Sequence, residues 1–298
     1  MRRPDYLKEG DKIGIAATAR KVSEQEMQPC IYILESWGLE VVLSEELYAK
    51  DDQFAGSDQL RARGLQAMLD DESIKAILFD RGGYGSVRMV DLLDFTGLIL
   101  NPKWLIGYSD ITVLHSHVQI HCEIETIHGV MAINFAEDNQ GVQGLRQTTF
   151  GDPPAFELEA HKLNVIGSSK GVIVGGNLSL LYSIIGSNSN LDTAGRILFI
   201  EDLDEYLYHM DRMMMNLKRT GMLSELNGLI VGGMRDMNDN EIPFGKTAEQ
   251  IIANAVAEYN YPVCFNFPAG HIKGNMPLIL GREASLEVNE LGSTLSYG

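Results

Sequence analysis

KWLIGYSDITVLHSH, residues 103–117, changes character in the middle. Lys103–Tyr108 is a short run rich in apolar and aromatic residues, which predicts a strand; Ile111–His117 continues as a helix. Ser109 and Asp110 occupy the corner. A strand that turns directly into a helix places its corner residue at the carboxyl edge of a sheet, beside the free N–H groups of a helix N-terminus. A serine there has two readings. It can cap the helix by accepting an N–H bond, or it can be the exposed nucleophile of a strand-turn-helix elbow. The local pattern, G-Y-S-D, does not match the G-x-S-x-G of the common elbow, so the corner alone leaves both open.

The stretches upstream repeat the same alternation. Residues 12–18 (KIGIAAT), 39–45 (LEVVLSE) and 74–80 (IKAILFD) read as strands, and 23–38, 57–71 and 85–94 as helices. Ser23 with Glu26 three residues later forms a capping box, and Gly38 stops that helix. Strand-helix alternation at this spacing predicts a parallel sheet with helices on both faces over residues 1–140. Ligands in such folds sit at the carboxyl ends of the strands, where DRGGYGS (80–86) and YSD (108–110) lie. From about residue 136 the pattern breaks. Residues 141–165 are polar and glycine-rich and read as a linker into irregular β structure. Residues 166–298 read as a second, β-rich α+β domain, with apolar runs at 171–186, 196–201, 226–234 and 262–271 and helices at 204–221 and 247–260. Asp204 reads as the N-cap of the first of these helices.

Bulk composition excludes several functions. Hydrophobic residues make up 45% of 298, enough for a substantial core. With 41 acidic against 24 basic residues, the net charge is −17. Such a chain lacks the basic face that nucleic acid or an anionic membrane surface requires. Cys30, Cys122 and Cys264 are scattered and form no CxxC, which argues against a disulfide framework or a cysteine zinc site. No apolar run is long enough to span a membrane, and the N-terminus does not read as a signal peptide; a cytoplasmic protein is expected.

A serine nucleophile needs a base, and a histidine base needs an acid to hold its tautomer. His115, His117 and His121 lie on the helix after Ser109; the last two are at i,i+4, but no carboxylate completes a zinc pattern and a polar face is the plainer reading. His128, in ETIHGVM, is expected near the sheet edge, where it could reach the site, and His209 is inside a helix. His271 follows an apolar strand in a glycine-flanked loop, NFPAGHIKGNMPLILG (266–281), where functional groups are commonly carried. Glu201 ends the run RILFIE; a strand end fixes its direction, as an orienting acid needs, although solvent-facing strand ends are common. The glycines Gly82, Gly83 and Gly85 let backbone N–H groups approach a ligand, as a phosphate nest or as an oxyanion hole. No Walker lysine follows, and the spacing is not G-x-G-x-x-G.

Four motifs in order, RGGYG (81–85), IGYSD (106–110), FIED with the following Y and DRMMMNL (199–217), and GH with N and LILG (270–281), resemble the LD-carboxypeptidase family of serine peptidases. That family comprises murein tetrapeptide carboxypeptidases and related microcin-immunity peptidases. The resemblance covers nearly the whole chain. It implies a Rossmann-like N-terminal domain with a parallel sheet plus a β-rich C-terminal domain, a triad of Ser109, Glu201 and His271, an oxyanion hole from the backbone N–H groups of Gly83 and Asp110, no metal or other cofactor, and a homodimer. The Ser109 hydroxyl is then expected within ~2.6–3.5 Å of a His271 nitrogen. The implied activity is removal of the terminal D-alanine from a muropeptide tetrapeptide during cell-wall recycling. Cleavage of a peptidyl-nucleotide antibiotic is the alternative within the family; a non-catalytic small-molecule binder and a phosphate-binding enzyme are alternatives outside it. A carboxypeptidase must also hold a free carboxylate. Arg81 is the sequence candidate, ahead of Arg88, which falls on a helix surface.

Overall fold

A computed structural model describes residues 1–298. Its first half is the expected alternation. Strands β1 (Lys12–Ala16), β2 (Glu40–Leu43), β3 (Ile74–Phe79), β4 (Trp104–Gly107) and β5 (Thr126–His128) are connected through α1 (Glu24–Ser36), α2 (Asp58–Asp70), α3 (Ser86–Met89), α4 (Thr96–Leu100) and α5 (Thr112–His121). The Ser23–Glu26 capping box opens α1. The helix expected over 85–94 is shorter: α3 is one turn, continued by a 3-10 turn at Val90–Leu92.

The chain then forms α6 (Asn139–Thr149), β6 (Phe156–Glu159), β7 (Gly167–Asn177), α7 (Leu178–Ser183), β8 (Ile197–Leu203), α8 (Leu207–Arg219), β9 (Gly228–Arg235), α9 (Ala248–Val256), β10 (Val263–Cys264), β11 (Leu278–Leu280), β12 (Glu283–Val288) and β13 (Gly292–Tyr297). Helix α6 corrects the reading of residues 141–149 as linker. Asp138 caps it, and Val142 and Leu145 bury one face. Its glycines hid it, because glycine is a poor helix former. They are there for proximity: a β-carbon on Gly141 would lie 2.7 Å from the Asn275 carbonyl oxygen, and one on Gly144 2.8 Å from Pro277 Cδ.

Two sheets result. The first has the order β11-β5-β4-β3-β1-β2; it is parallel except for β11, which runs antiparallel to β5. The second has the order β10-β9-β8-β7-β12-β13-β6, with β7 to β10 parallel and the other half antiparallel. The 166–298 segment thus lends β11 to the first sheet. Asp204 is not a helix cap either. It holds φ +54° and accepts a hydrogen bond from Asn238, while α8 opens at Tyr206 without a side-chain cap. The strand expected to end at Glu201 runs on to Leu203. No helix is long and apolar enough to cross a membrane.

Candidate active site

The carboxyl ends of β3 and β4 in the first sheet and of β7 and β8 in the second converge on one cavity of about 650 Å³. Ser109 stands on its wall with φ +62°, a left-handed conformation that costs a serine about 1–3 kcal/mol. Neither the 3-10 turn at Ser109–Ile111 nor α5 has a side-chain cap, so the capping role does not hold. Gly107 makes the turn possible, since a β-carbon there would press to 2.8 Å against Ile111.

The glycine loop lies directly against the serine. A β-carbon on Gly82 would sit 3.0 Å from Ser109 Cβ and 3.1 Å from its Oγ. Gly83 holds φ +121°, and its N–H has no acceptor within the molecule. Asp110 joins loop to corner: its buried carboxylate accepts the Ser86 N–H at 2.7 Å. Burial pushes the Asp110 carboxyl up, against these hydrogen bonds. Below the loop, the buried Arg61 donates to the carbonyls of Thr18 and Gly85. The expected oxyanion donors therefore rest on a backbone fixed from beneath.

On the opposite wall, Glu201 is fully buried in β8. Its Oε2 accepts the His271 backbone N–H at 3.1 Å and meets His271 Nδ1 at 2.7 Å. This contact orients Nδ1–H toward Glu201 and leaves Nε2 as the basic nitrogen. Burial pushes the Glu201 carboxyl up, but the charge and hydrogen bond of His271 outweigh it and hold the group below its ordinary value. Burial likewise pushes His271 down, and Glu201 outweighs it, so the imidazole sits above its ordinary value. Gly270, at φ +110°, permits the approach: a β-carbon there would lie 2.7 Å from Glu201 Cβ. Tyr108 packs on the His271 ring at 4.7 Å between centroids.

Ser109 and His271 line the same cavity, yet no hydrogen bond joins Oγ to the imidazole, contrary to the expected 2.6–3.5 Å bond. Serine–histidine contacts of this kind commonly close only on a bound substrate. Arg81 is also on the cavity wall, 3.9 Å from Glu26. Arg88 is away from it, paired with Asp58 at 2.7 Å. His117 and His121 are engaged within the protein, by Ser189 Oγ at 2.9 Å and the Asn188 carbonyl at 2.7 Å. His128 is buried against Phe199, and burial pulls its pKa down to about 3, which keeps it neutral.

Sequence reasoning missed three residues. Asp138 gathers the Gly141, Gly274 and Asn275 N–H groups at 2.8–3.1 Å, and so fixes the turn that presents His271. Asp202, beside Glu201, binds Asn177 and the Ser179 N–H, each at 2.9 Å. Arg20 reaches the cavity from the first βα loop. Asp138 carried a helix-cap signal; the other two carried none.

Comparison with known proteins agrees with this architecture. Residues 13–129 match the LD-carboxypeptidase N-terminal domain and residues 170–286 the LD-carboxypeptidase C-terminal domain. The chain belongs to the LD-carboxypeptidase family. It is 30% identical to a probable murein peptide carboxypeptidase of Bacillus subtilis, over 99% of this chain and 95% of that one. The crystal structure of muramoyltetrapeptide carboxypeptidase from Oxalobacter formigenes superposes with a TM-score of 0.88 at 25% identity, covering 96% of this chain and 98% of the other. The microcin C7 self-immunity protein shares the fold, with a TM-score of 0.87 at 20% identity and 98% of both chains covered.

Proposed function

We propose that this protein is a serine-type LD-carboxypeptidase that removes the terminal D-alanine from murein tetrapeptides. The observation that carries the reading is the buried Glu201–His271 pair facing a cavity whose other wall bears the strained Ser109. His271 Nε2 takes the proton from Ser109 as Oγ attacks the carbonyl that joins the diamino acid to D-alanine. Glu201 stabilises the imidazolium that forms. The tetrahedral oxyanion accepts from the Gly83 and Asp110 N–H groups. The protonated His271 then gives its proton to the leaving amine, D-alanine departs, and water admitted to the same base hydrolyses the acyl-enzyme. No step calls for a metal or organic cofactor. Arg81, on the cavity wall, is the candidate that sequence alone offers for the substrate carboxylate. The names of the B. subtilis and O. formigenes relatives support murein peptide as the substrate class.

The same reading assigns the protein to cytoplasmic cell-wall recycling and to a homodimer. Its three cysteines, all buried and free, agree with a reducing compartment.

The test is mass-spectrometric detection of D-alanine release from tetrapeptides with diaminopimelate or lysine at the third position, beside a peptidyl-nucleotide. Release from a tetrapeptide by the wild type and none by Ser109→Ala is the expected result. Cleavage confined to the peptidyl-nucleotide would replace the substrate, and undiminished release by Ser109→Ala would end the serine mechanism. Sedimentation tests the dimer.

A further inference from the structure

The cavity is divided by charge. Arg20 and Arg81 stand on the glycine-loop wall, and Asp202, Asp204 and Glu205 on the wall formed by the end of β8 and the segment after it. Glu205 pairs only with His209, and Asp204 has only the neutral Asn238 amide. An anionic group entering the cavity is repelled by one wall and drawn to the other.

On the favoured wall the two arginines are not equivalent. Arg81 shares its charge with Glu26 at 3.9 Å. Arg20 enters no ion pair and is exposed, yet its side chain is folded across the glycine loop. Its Cγ, Cδ and Nε lie 2.8, 2.8 and 2.9 Å from the point a β-carbon on Gly83 would occupy. The backbone beneath is pinned, with Lys21 N–H on the Gln53 carbonyl and Ala55 N–H on the Ala19 carbonyl, each at 3.0 Å. A fixed backbone and a side chain laid over Gly83 hold a free guanidinium beside an expected oxyanion donor.

That position matches a dimension of the substrate. In a peptide cut at its last bond, only a nitrogen and an α-carbon separate the scissile carbonyl carbon from the terminal carboxylate, a span of about 3–4 Å. A carbonyl oxygen seated on the Gly83 N–H therefore carries its terminal carboxylate into the reach of Arg20. Resting on the carboxypeptidase reading above, we infer that Arg20, ahead of Arg81, binds the terminal carboxylate and so restricts the enzyme to the last residue of its peptide. The absence of a side chain at Gly83 gives Arg20 its path, beyond permitting φ +121°.

The experiment compares kcat/KM for a D-alanine-terminated tetrapeptide with a free carboxylate and for the same peptide as its C-terminal amide. Wild type, Arg20→Gln, Arg20→Lys and Arg81→Gln are assayed, each with a thermal melt. The acid-over-amide ratio should fall about 30-fold or more in Arg20→Gln, the range for truncating one partner of a charge pair that the bound substrate covers. Arg20→Lys should recover part of it, because the charge survives without the bidentate fork. Arg81→Gln should change the ratio by less than about 5-fold, as removal of a half-buried charge already shared with Glu26 would. An unchanged ratio in Arg20→Gln, or the larger fall in Arg81→Gln, overturns the assignment to Arg20 while leaving the carboxypeptidase reading intact. If Arg20→Gln does not fold, Arg20→Lys decides: a lowered ratio supports the assignment to Arg20, and a ratio equal to wild type overturns it, since the guanidinium fork then plays no part. A folded wild type that cleaves neither peptide removes the carboxypeptidase reading, and this inference with it.

Discussion

The two walls of the cavity are built by different physics. On the wall of the first sheet the proposed chemistry rests on backbone: Ser109 at φ +62°, Gly83 at φ +121°, and a loop whose own hydrogen bonds lie beneath it. On the wall of the second sheet it is carried by ionisation: a fully buried carboxylate, an imidazole held against it, and an adjacent Asp202 whose pKa burial pushes up to about 7. Strain on the first wall is a conformational cost that does not depend on pH. The charge pair on the second is inseparable from it. Substitutions on the first wall should therefore uncouple turnover from stability, and those on the second should move both along the pH axis.

The largest effect is expected at Ser109. Ser109→Ala should lower kcat by about 10³-fold or more, and His271→Ala by a similar factor, with the double variant little worse than either, since groups acting as a unit are not additive. The serine caps nothing, so its loss should leave the melting temperature close to wild type. Ser109→Gly sharpens the point: it should be as inactive yet more stable by about 1 kcal/mol, because glycine relieves the left-handed conformation. A strongly destabilised Ser109→Gly would contradict a strained corner.

Glu201→Gln comes next, with a loss of kcat on the order of 10²–10⁴-fold. Here pH is the discriminating axis. Glu201 is held low and His271 high. The carboxylate's contribution to stability is present above its ordinary, unfolded value and is lost as pH falls through its depressed folded value; the imidazole's is present below its ordinary value and is lost as pH rises through its raised folded value. The pair thus stabilises most between the carboxylate and imidazole ranges. Activity needs neutral His271, so kcat/KM should rise through the raised imidazole value in the wild type. In Glu201→Gln that limb should move to lower pH, because burial then acts on His271 without its counter-charge. A limb that stays in place would detach Glu201 from the base.

Gly83→Ala should reduce kcat by about 10²–10³-fold, as loss of an aligned oxyanion donor does, by straining the loop and displacing Arg20. The smallest effect belongs to Asp138→Asn. It weakens the turn that presents His271 and should cost about 1–3 kcal/mol in a thermal melt, with a modest fall in rate. An unchanged melt would mean that the His271 turn is held by other contacts.

Much of this division was legible in sequence. The alternation to residue 128 follows from apolar period and punctuation, and the Ser23–Glu26 box behaves as its spacing demands. Ser109 follows the apolar β4 and Glu201 lies within the apolar β8, while the run before His271 forms only the two-residue β10 and leaves the histidine in a loop. What escaped notice depends on groups distant in the chain. Helix α6 is stabilised by contact with residues 275–277, which its own low propensity conceals. Asp204 has the residue type of a cap but is turned aside by its bond to Asn238. Arg20 is one surface arginine among many until the fold sets it over Gly83. Local preference is written locally; a partner 34 or more residues away is not.

The pairing of β11 with β5 bears on how the molecule is made. Leu278 lies opposite His128 and Leu280 opposite Thr126, so the first sheet receives its final strand from a segment translated about 150 residues later. Until that segment emerges, β5 is an open edge able to accept the wrong neighbour. The same arrival delivers the loop bearing His271, seven residues before β11. A nascent chain can fold the Ser109 corner early, but the proposed base His271 arrives only with the segment that seals the open edge, so no chain that stops short of β11 brings the three proposed triad residues together.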